Sequence, residues 1–132
     1  MVIATWNYPA FTLFEPVVSA IAAGNAIVMK PSENAPKCST AMRKMIEKMD
    51  QDYFRCVEGG PDLGKKLTQM KWDMIAFTGG SQIGKIVASE AGKNLVPCVL
   101  ELGGRNPCVI DESADLDLAV KKVTLGRFIN SG

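Results

Sequence analysis

Short apolar runs alternate with longer helical patterns along this sequence, and the alternation limits the fold more than any other feature. The runs with strand character cover residues 2–4, 26–29, 53–57, 74–77 and 98–102, with a weaker one at 107–110. The helical patterns between them cover residues 11–23, 32–50, 62–70, 82–94 and 115–128. Strands separated by helices of this length are typical of βαβ units and a mainly parallel sheet. We therefore expect an α/β fold.

Two of the predicted helices have patterns that specify how they should pack. Residues 11–23 are apolar nearly all round, with Glu15 as the one charged residue, and this pattern predicts a buried helix. The last predicted helix should direct four apolar side chains inward: Leu116, Ala119, Val120 and Val123.

Charge and composition exclude several function classes. The net charge is +1, from 15 basic and 14 acidic residues that are well mixed, so we expect no nucleic-acid partner. No apolar run approaches the ~18 residues of a membrane span, and none is expected. The sequence contains no histidine. For a chain acting alone, this absence excludes Ser-His-Asp hydrolysis and imidazole-bound metals, and we expect no metal site.

Cysteine usage and the first residues indicate the compartment. None of the four cysteines forms a Cys-x-x-Cys pair, and we interpret all four as reduced structural thiols: Cys38, Cys56, Cys98 and Cys108. The first residues lack the basic region of a signal peptide. The expected compartment is the cytoplasm, with the mitochondrion as the alternative if a transit peptide has been removed.

Parallel sheets bind ligands at the carboxyl ends of their strands, so the residues that follow each predicted strand are candidates for a site. After the first strand come Trp6 and Asn7, and a rigidly held asparagine amide is a good donor to an oxyanion. The alternative is that Asn7 caps the next helix within a packed aromatic corner.

After the second strand, Lys30 and Glu33 could hydrogen-bond ribose hydroxyls. A carboxylate suits a 2′-hydroxyl and repels a 2′-phosphate. The alternative is an ordinary helix start, with Ser32 as the N-cap and Glu33 in the first turn.

The strand at 74–77 is followed by a glycine-rich turn that contains Gly79, Ser81 and Gly84. Glycines allow a close backbone approach to a ligand, and free N–H groups at the next helix start suit a pyrophosphate. The spacing matches neither of the usual phosphate-binding motifs, so an ordinary turn is the alternative.

Glu101 lies in an apolar strand that ends in two glycines. Partial desolvation there would make its carboxylate a more effective general base. The alternative is a glutamate on the solvent face of the strand, with Leu100 and Leu102 pointing inward.

Taken together, these motifs resemble the aldehyde dehydrogenase superfamily. The matching stretches are Trp6-Asn7-Tyr8-Pro9, Ala22-Ala23-Gly24-Asn25-Ala26, Lys30-Pro31-Ser32-Glu33, Phe77-Thr78-Gly79 with Gly84, and Leu100-Glu101-Leu102-Gly103-Gly104. The resemblance implies a Rossmann-like sheet with helices on both faces, incomplete relative to the full family fold. It also implies a partial dinucleotide-binding domain at residues 1–102 and the first segment of the catalytic domain at 103–132.

The resemblance further implies an activity, which is oxidation of an aldehyde to a carboxylic acid with NAD or NADP. Carried over by motif, Asn7 is the oxyanion asparagine and Glu101 the general base. The implied cofactor contacts are Lys30 and Glu33 at the adenosine ribose, Gly79, Ser81 and Gly84 near the pyrophosphate, and Trp6, Leu102 and Gly103 at the nicotinamide.

The sequence departs from the family at its nucleophile, which follows a pattern Asn-x-Gly-Gln-x-Cys. Here Asn130, Ser131 and Gly132 are the last residues, and the cysteine would lie three positions further on. We expect the chain alone to be inactive and to bind its cofactor weakly or not at all. A protein partner or a homo-oligomer is expected to cover its apolar faces. The alternative function is a catalytically inactive pseudoenzyme that serves as a structural or interaction subunit.

Overall fold

The computed structural model describes residues 1–131, which contain one five-stranded sheet. Its strands are β1 (Val2–Ile3), β2 (Ile27–Lys30), β3 (Phe54–Cys56), β4 (Ile75–Gly79) and β5 (Cys98–Leu102). All neighbouring strands are parallel, and their order across the sheet is β3-β2-β1-β4-β5. The predicted α/β fold with a parallel sheet is confirmed.

Five helices connect or follow these strands. They are α1 (Pro9–Ala22), α2 (Pro36–Ile46), α3 (Pro61–Thr68), α4 (Ser81–Lys93) and α5 (Leu116–Phe128), and a short 3₁₀ turn (Ile129–Ser131) follows the last one. Each of the first three helices begins at a proline, whose fixed φ suits the first helical position and whose missing N–H needs no partner there. Because Pro36 disfavours a helical Ala35, α2 starts four residues later than its periodicity predicted.

The centre of the sheet is buried on both faces, as the alternation of side chains along β1 shows. Val2 lies in an apolar cluster with residues of α1, α2 and β2. Ile3 points the other way, into a second cluster that includes Phe77 and Val87. Thus α1 and α2 cover one face of the sheet and α4 covers the other, which confirms the prediction of helices on both faces.

The strand order creates a crevice beside the centre of the sheet. From β1 the chain builds outward through β2 to β3, and then returns to place β4 on the opposite side of β1. Because the helices on the two sides of this point cover opposite faces, a crevice opens at the carboxyl ends of β1 and β4. Ligands of open α/β sheets bind at such a switch point.

Some packing predictions are wrong. In α1, Leu13 and Val17 are buried but Phe11 is 68% exposed, because the helix lies in an outer layer and turns one stripe to the sheet. No side chain of α5 is buried, and Leu116 and Val120 of its predicted inward face are exposed. None of the helices within residues 1–131 is both long enough and apolar enough to cross a membrane.

The weak apolar run at residues 107–110 is not a strand. Pro107 cannot donate a ladder hydrogen bond, and Val109 is 89% exposed with no strand of the described chain beside it. The chain therefore leaves the sheet after β5 and continues as an exposed segment into α5.

Candidate functional site

A cleft of about 360 Å³ occupies the switch-point crevice. The ends of β1 and β2 form its floor, and α3 and α4 form its walls. The residues that line it are Ile3, Ala4, Thr5, Trp6, Lys30, Ser32, Glu33, Asn34, Pro61, Asp62, Gly64, Lys65, Thr68, Phe77, Ile83, Ile86 and Val87. Three of the predicted site residues therefore line one cavity, namely Trp6, Lys30 and Glu33.

An ion pair between a buried lysine and a partly exposed glutamate lies at the end of β2. The Lys30 side chain is 4% exposed, and its Nζ donates to Oε2 of Glu33 at 2.8 Å and to the carbonyl of Pro31 at 3.3 Å. Partial desolvation favours a higher pKa for Glu33. The hydrogen bond from Lys30, a backbone hydrogen bond and the lysine charge outweigh it, so the pKa of Glu33 lies below its usual value. Glu33 therefore presents a carboxylate to the cleft.

The turn between Pro31 and Pro36 is not a helix cap. Ser32 Oγ accepts a hydrogen bond from the Asn34 amide at 3.3 Å, while α2 begins only at Pro36 and has no side-chain cap. The Ser32 carbonyl accepts from Ser39 Oγ at 2.7 Å, which fixes the turn to α2. The alternative in which Ser32 caps the helix is wrong. The turn holds Glu33 at the mouth of the cleft.

The glycine turn after β4 lies next to the cleft but not in its lining. Gly79 ends the strand, Gly80 is extended, and α4 begins at Ser81. Gly84 is buried, and a Cβ there would lie 2.6 Å from Cδ2 of Leu102. Gly84 therefore lets the first turn of α4 pack against the end of β5. The nearest side chain to Gly84 in the structure is that of Leu102.

Asn7 lies in the segment between β1 and α1, two residues before the helix begins. The residue at the N-cap position of α1 is Tyr8, with no side-chain cap, so the alternative in which Asn7 caps this helix is wrong. The backbone carbonyl of Asn7 accepts a hydrogen bond from Nδ2 of Asn130 at 2.7 Å. Asn7 is half-buried, whereas Trp6 is 49% exposed.

Glu101 lies in β5 and pairs in register with Thr78 of β4, which places it at the same carboxyl edge as Asn7. Its side chain is exposed, as are Leu102 and Gly103 after it. The expected desolvation of Glu101 is wrong for the described residues, because β5 is an edge strand and its carboxyl end is uncovered. The alternative, a solvent-facing glutamate, is the arrangement observed.

Several residues of the cleft were missed from the sequence. Asp62, Lys65 and Thr68 of α3 line one wall, and no motif marked this short helix. Ile83 and Ile86 of α4 also line the cleft, and each is about half exposed. Their exposure is the signal that a sequence pattern cannot give, because periodicity does not distinguish a core face from a ligand-facing one.

The thiols do not form a reactive centre in the described part of the chain. All four cysteines are free, and none lines the cleft. Burial, together with the charge of Glu58, raises the pKa of Cys56 to about 11, which disfavours its thiolate. Cys108 is exposed in the segment after β5 rather than in a strand. Residues 1–131 also contain no group of three or more metal-ligating acidic or thiol side chains.

Comparison with known proteins decides the family. The model of the aldehyde dehydrogenase family matches residues 1–132. The chain belongs to the aldehyde dehydrogenase family. Its sheet, cleft and motif order are therefore those of a segment of an aldehyde dehydrogenase.

Individual relatives show how much of an aldehyde dehydrogenase the chain represents. The dimeric NADP-preferring aldehyde dehydrogenase of Mus musculus is 43% identical over 133 aligned positions, covering 100% of this chain and 29% of the mouse protein. The substrate-bound structure of Staphylococcus aureus AldH superposes with a TM-score of 0.94 at 40% identity, covering 99% of this chain and 29% of that protein. Aldehyde dehydrogenase C of Pseudomonas syringae, solved with NAD+ and octanal, gives 0.90 at 31% identity, with 98% and 27% covered. The chain thus spans less than a third of these relatives.

Proposed function

We propose that this chain is the part of an NAD(P)-dependent aldehyde dehydrogenase that supplies the nucleotide cleft, the oxyanion asparagine and the general base. In this proposal residues 1–102 belong to the dinucleotide-binding domain, and residues 103–132 begin the catalytic domain. The reaction is the oxidation of an aldehyde to a carboxylic acid. The observation that carries the proposal is the cleft at the switch point, with the Lys30–Glu33 pair at its mouth.

The residues present suit the adenosine end of a dinucleotide. Ile83 and Ile86 offer exposed apolar surface inside the cleft, which fits an adenine ring. At its mouth, the Glu33 carboxylate can accept hydrogen bonds from ribose hydroxyls and the Lys30 ammonium can donate to them. The amides that begin α4, after Gly80, would hold the pyrophosphate at a helix N-terminus.

The two cofactors differ by one phosphate, and Glu33 bears on the choice between them. The mouse relative is named NADP-preferring, and the Pseudomonas syringae structure contains NAD+. Because the pKa of Glu33 is lowered, its carboxylate is charged at neutral pH and repels a 2′-phosphate. We propose that the segment favours NAD, with Lys30 partly offsetting the repulsion of NADP.

The chemistry follows from groups at the carboxyl edge of the sheet. The Asn7 amide donates to the oxygen of the reacting carbonyl, where negative charge develops. Glu101 accepts a proton from the water that releases the acid. When bound, the nicotinamide supplies the hydride acceptor, and Trp6, Leu102 and Gly103 border its proposed place. None of the four cysteines lines the cleft, so we propose that the attacking thiol is none of these four.

Two measurements test the proposal. Calorimetry with the chain should detect NAD binding, weaker than micromolar, that disappears in Lys30→Met. The matched control is Lys44→Met, which removes an exposed lysine on α2. In the longer enzyme that carries the segment, Asn7→Ala should lower kcat by roughly a hundredfold or more. An NAD affinity that Lys30→Met leaves unchanged would contradict the assignment of the cleft.

A second candidate is a catalytically inactive subunit that packs on other proteins. The observation that favours it is exposed apolar surface on α1 and α5, including Phe11, Leu116 and Phe128. Light scattering of the purified chain distinguishes the two. An inactive subunit should form a defined complex through these side chains, with no dependence on NAD.

A further inference from the structure

We propose that Asn130 is a positioning residue, whose side-chain amide fixes the peptide segment that presents the Asn7 amide to substrate. The inference rests on the proposed role of Asn7 as the oxyanion donor. It assigns to Asn130 a task at the site although its own side chain does not reach the reacting atoms.

The contact between the two residues is short and joins distant parts of the sequence. Nδ2 of Asn130 donates to the backbone oxygen of Asn7 at 2.7 Å, across a separation of 123 residues. Asn130 lies in the short 3₁₀ turn after α5, and Asn7 lies in the segment between β1 and α1. The hydrogen bond therefore ties the segment after α5 to the loop that follows the central strand.

The backbone of Asn130 supports a specific role rather than a chance surface contact. Its φ is 50° and its ψ is 42°, in the left-handed region that residues other than glycine rarely adopt. Asparagine tolerates this region better than most side chains. The conformation directs the amide back toward Asn7, so residue type, backbone and contact agree with one another.

The hydrogen bond completes the restraint of the Asn7 segment. On one side Thr12 Oγ1 donates to the carbonyl of Tyr8 at 2.9 Å and accepts from the amide of Thr5 at 3.3 Å. On the other side Asn130 holds the carbonyl of Asn7 itself. Within residues 1–131 the Asn7 side chain donates no hydrogen bond to the protein, so its amide stays available to a ligand. Fixing the peptide plane fixes the direction from which that amide leaves the backbone.

The activity test uses Asn130→Gly in the longer enzyme, because glycine keeps the left-handed backbone and removes the donor without adding charge. Misplacement of an oxyanion donor should lower kcat about tenfold and leave the KM for NAD unchanged. In the Asn7→Ala background the same substitution should change kcat by less than about twofold, since its effect passes through Asn7. The control is Asn94→Gly, which removes a similar amide-to-carbonyl contact with Gln69 and should change neither value.

A full tenfold loss that persists in the Asn7→Ala background, or an effect on the KM for NAD alone, would overturn the inference. An unsubstituted enzyme without activity would instead contradict the proposed function. In that case NMR of the isotope-labelled chain decides the positioning role. Asn130→Gly should move the Asn7 carbonyl carbon resonance upfield and shift the Tyr8 amide nitrogen, and unchanged resonances would refute the contact.

Discussion

The Nζ atom of Lys30 lies 2.8 Å from Oε2 of Glu33, with the lysine side chain enclosed and the glutamate facing the cleft. A buried ammonium is tolerated only when it is paired and hydrogen-bonded, and here the glutamate and the Pro31 carbonyl meet both needs. The same pair therefore stabilises the end of β2 and shapes the charge at the mouth of the cleft.

Neutralising Glu33 should change the choice of cofactor. In Glu33→Gln the repulsion of a 2′-phosphate is lost, while Lys30 can still attract it. We expect the affinity for NADP to rise about tenfold relative to that for NAD, which corresponds to about 1.4 kcal/mol. Calorimetry with both dinucleotides measures the ratio. Glu47→Gln, at the exposed residue just after α2, is the control, and an unchanged ratio in Glu33→Gln would contradict this role.

The lowered pKa of Glu33 predicts a loss of stability in acid. Its folded pKa lies below the unfolded value of 4.5, so the ion pair contributes fully at neutral pH. The contribution should decline as the pH falls through 4.5 toward the lower folded value. Urea unfolding of the chain at several pH values checks this. Glu33→Gln should lose less stability than the unsubstituted chain over that range, and an equal loss would show that the pair contributes nothing.

The core under α1 should depend on Leu13, which is fully buried. Leu13→Ala removes buried methyl groups and leaves a cavity, so the free energy of unfolding should fall by about 2–5 kcal/mol. Phe11→Ala on the same helix is the matched control, because Phe11 is 68% exposed. Chemical denaturation followed by circular dichroism compares them. Similar losses in both variants would mean that α1 packs through a different face.

The role of Glu101 should be visible in the order of catalytic steps in the longer enzyme. Glu101→Gln removes the proposed proton acceptor for hydrolysis but not the earlier steps. Steady-state turnover should fall by about a hundredfold or more, while a rapid first turnover of NADH remains. Stopped-flow absorbance resolves the two phases. Glu112→Gln, an exposed glutamate in the segment before α5, should behave like the unsubstituted enzyme.

In the isolated chain α5 should be the least protected helix, because none of its side chains is buried. We expect its amides to exchange with solvent much faster than those of β1 and β4. Hydrogen exchange followed by mass spectrometry gives this comparison.

The exposed apolar surface should also make the chain poorly soluble, and a sharp, reversible thermal transition of the monomer would count against that expectation.

The strands were predictable because a parallel sheet covered on both faces needs continuous apolar runs. The run at residues 98–102 became β5 without any change in its bounds. The same reasoning failed at residues 107–110 and for the inward face of α5, because an apolar pattern does not show which partner is present. In both places the described chain offers no surface for the predicted face to pack against.

The site was predictable where it follows strand ends, and less so elsewhere. Trp6 follows β1, Lys30 is the last residue of β2, and Glu33 follows β2. All three line the cleft. Asp62 and Lys65 were missed because α3 brings them to the cleft through packing. The sequence left Glu101 open between a desolvated and a solvent-facing carboxylate, since its apolar neighbours do not reveal that β5 lies at the edge of the sheet.

The position of β1 has a consequence for how the chain reaches its native state. This two-residue strand comes first in the sequence yet lies in the middle of the sheet, where Val2 pairs with Met29 on one side and Ala76 on the other. Both pairings join segments far apart along the polypeptide. Each therefore requires a long loop to close, at a cost in chain entropy, before stabilising contacts can form. During synthesis one edge of β1 must therefore stay unpaired until β4 emerges. The pairings of this central strand on both sides therefore raise the contact order of the molecule and slow its assembly.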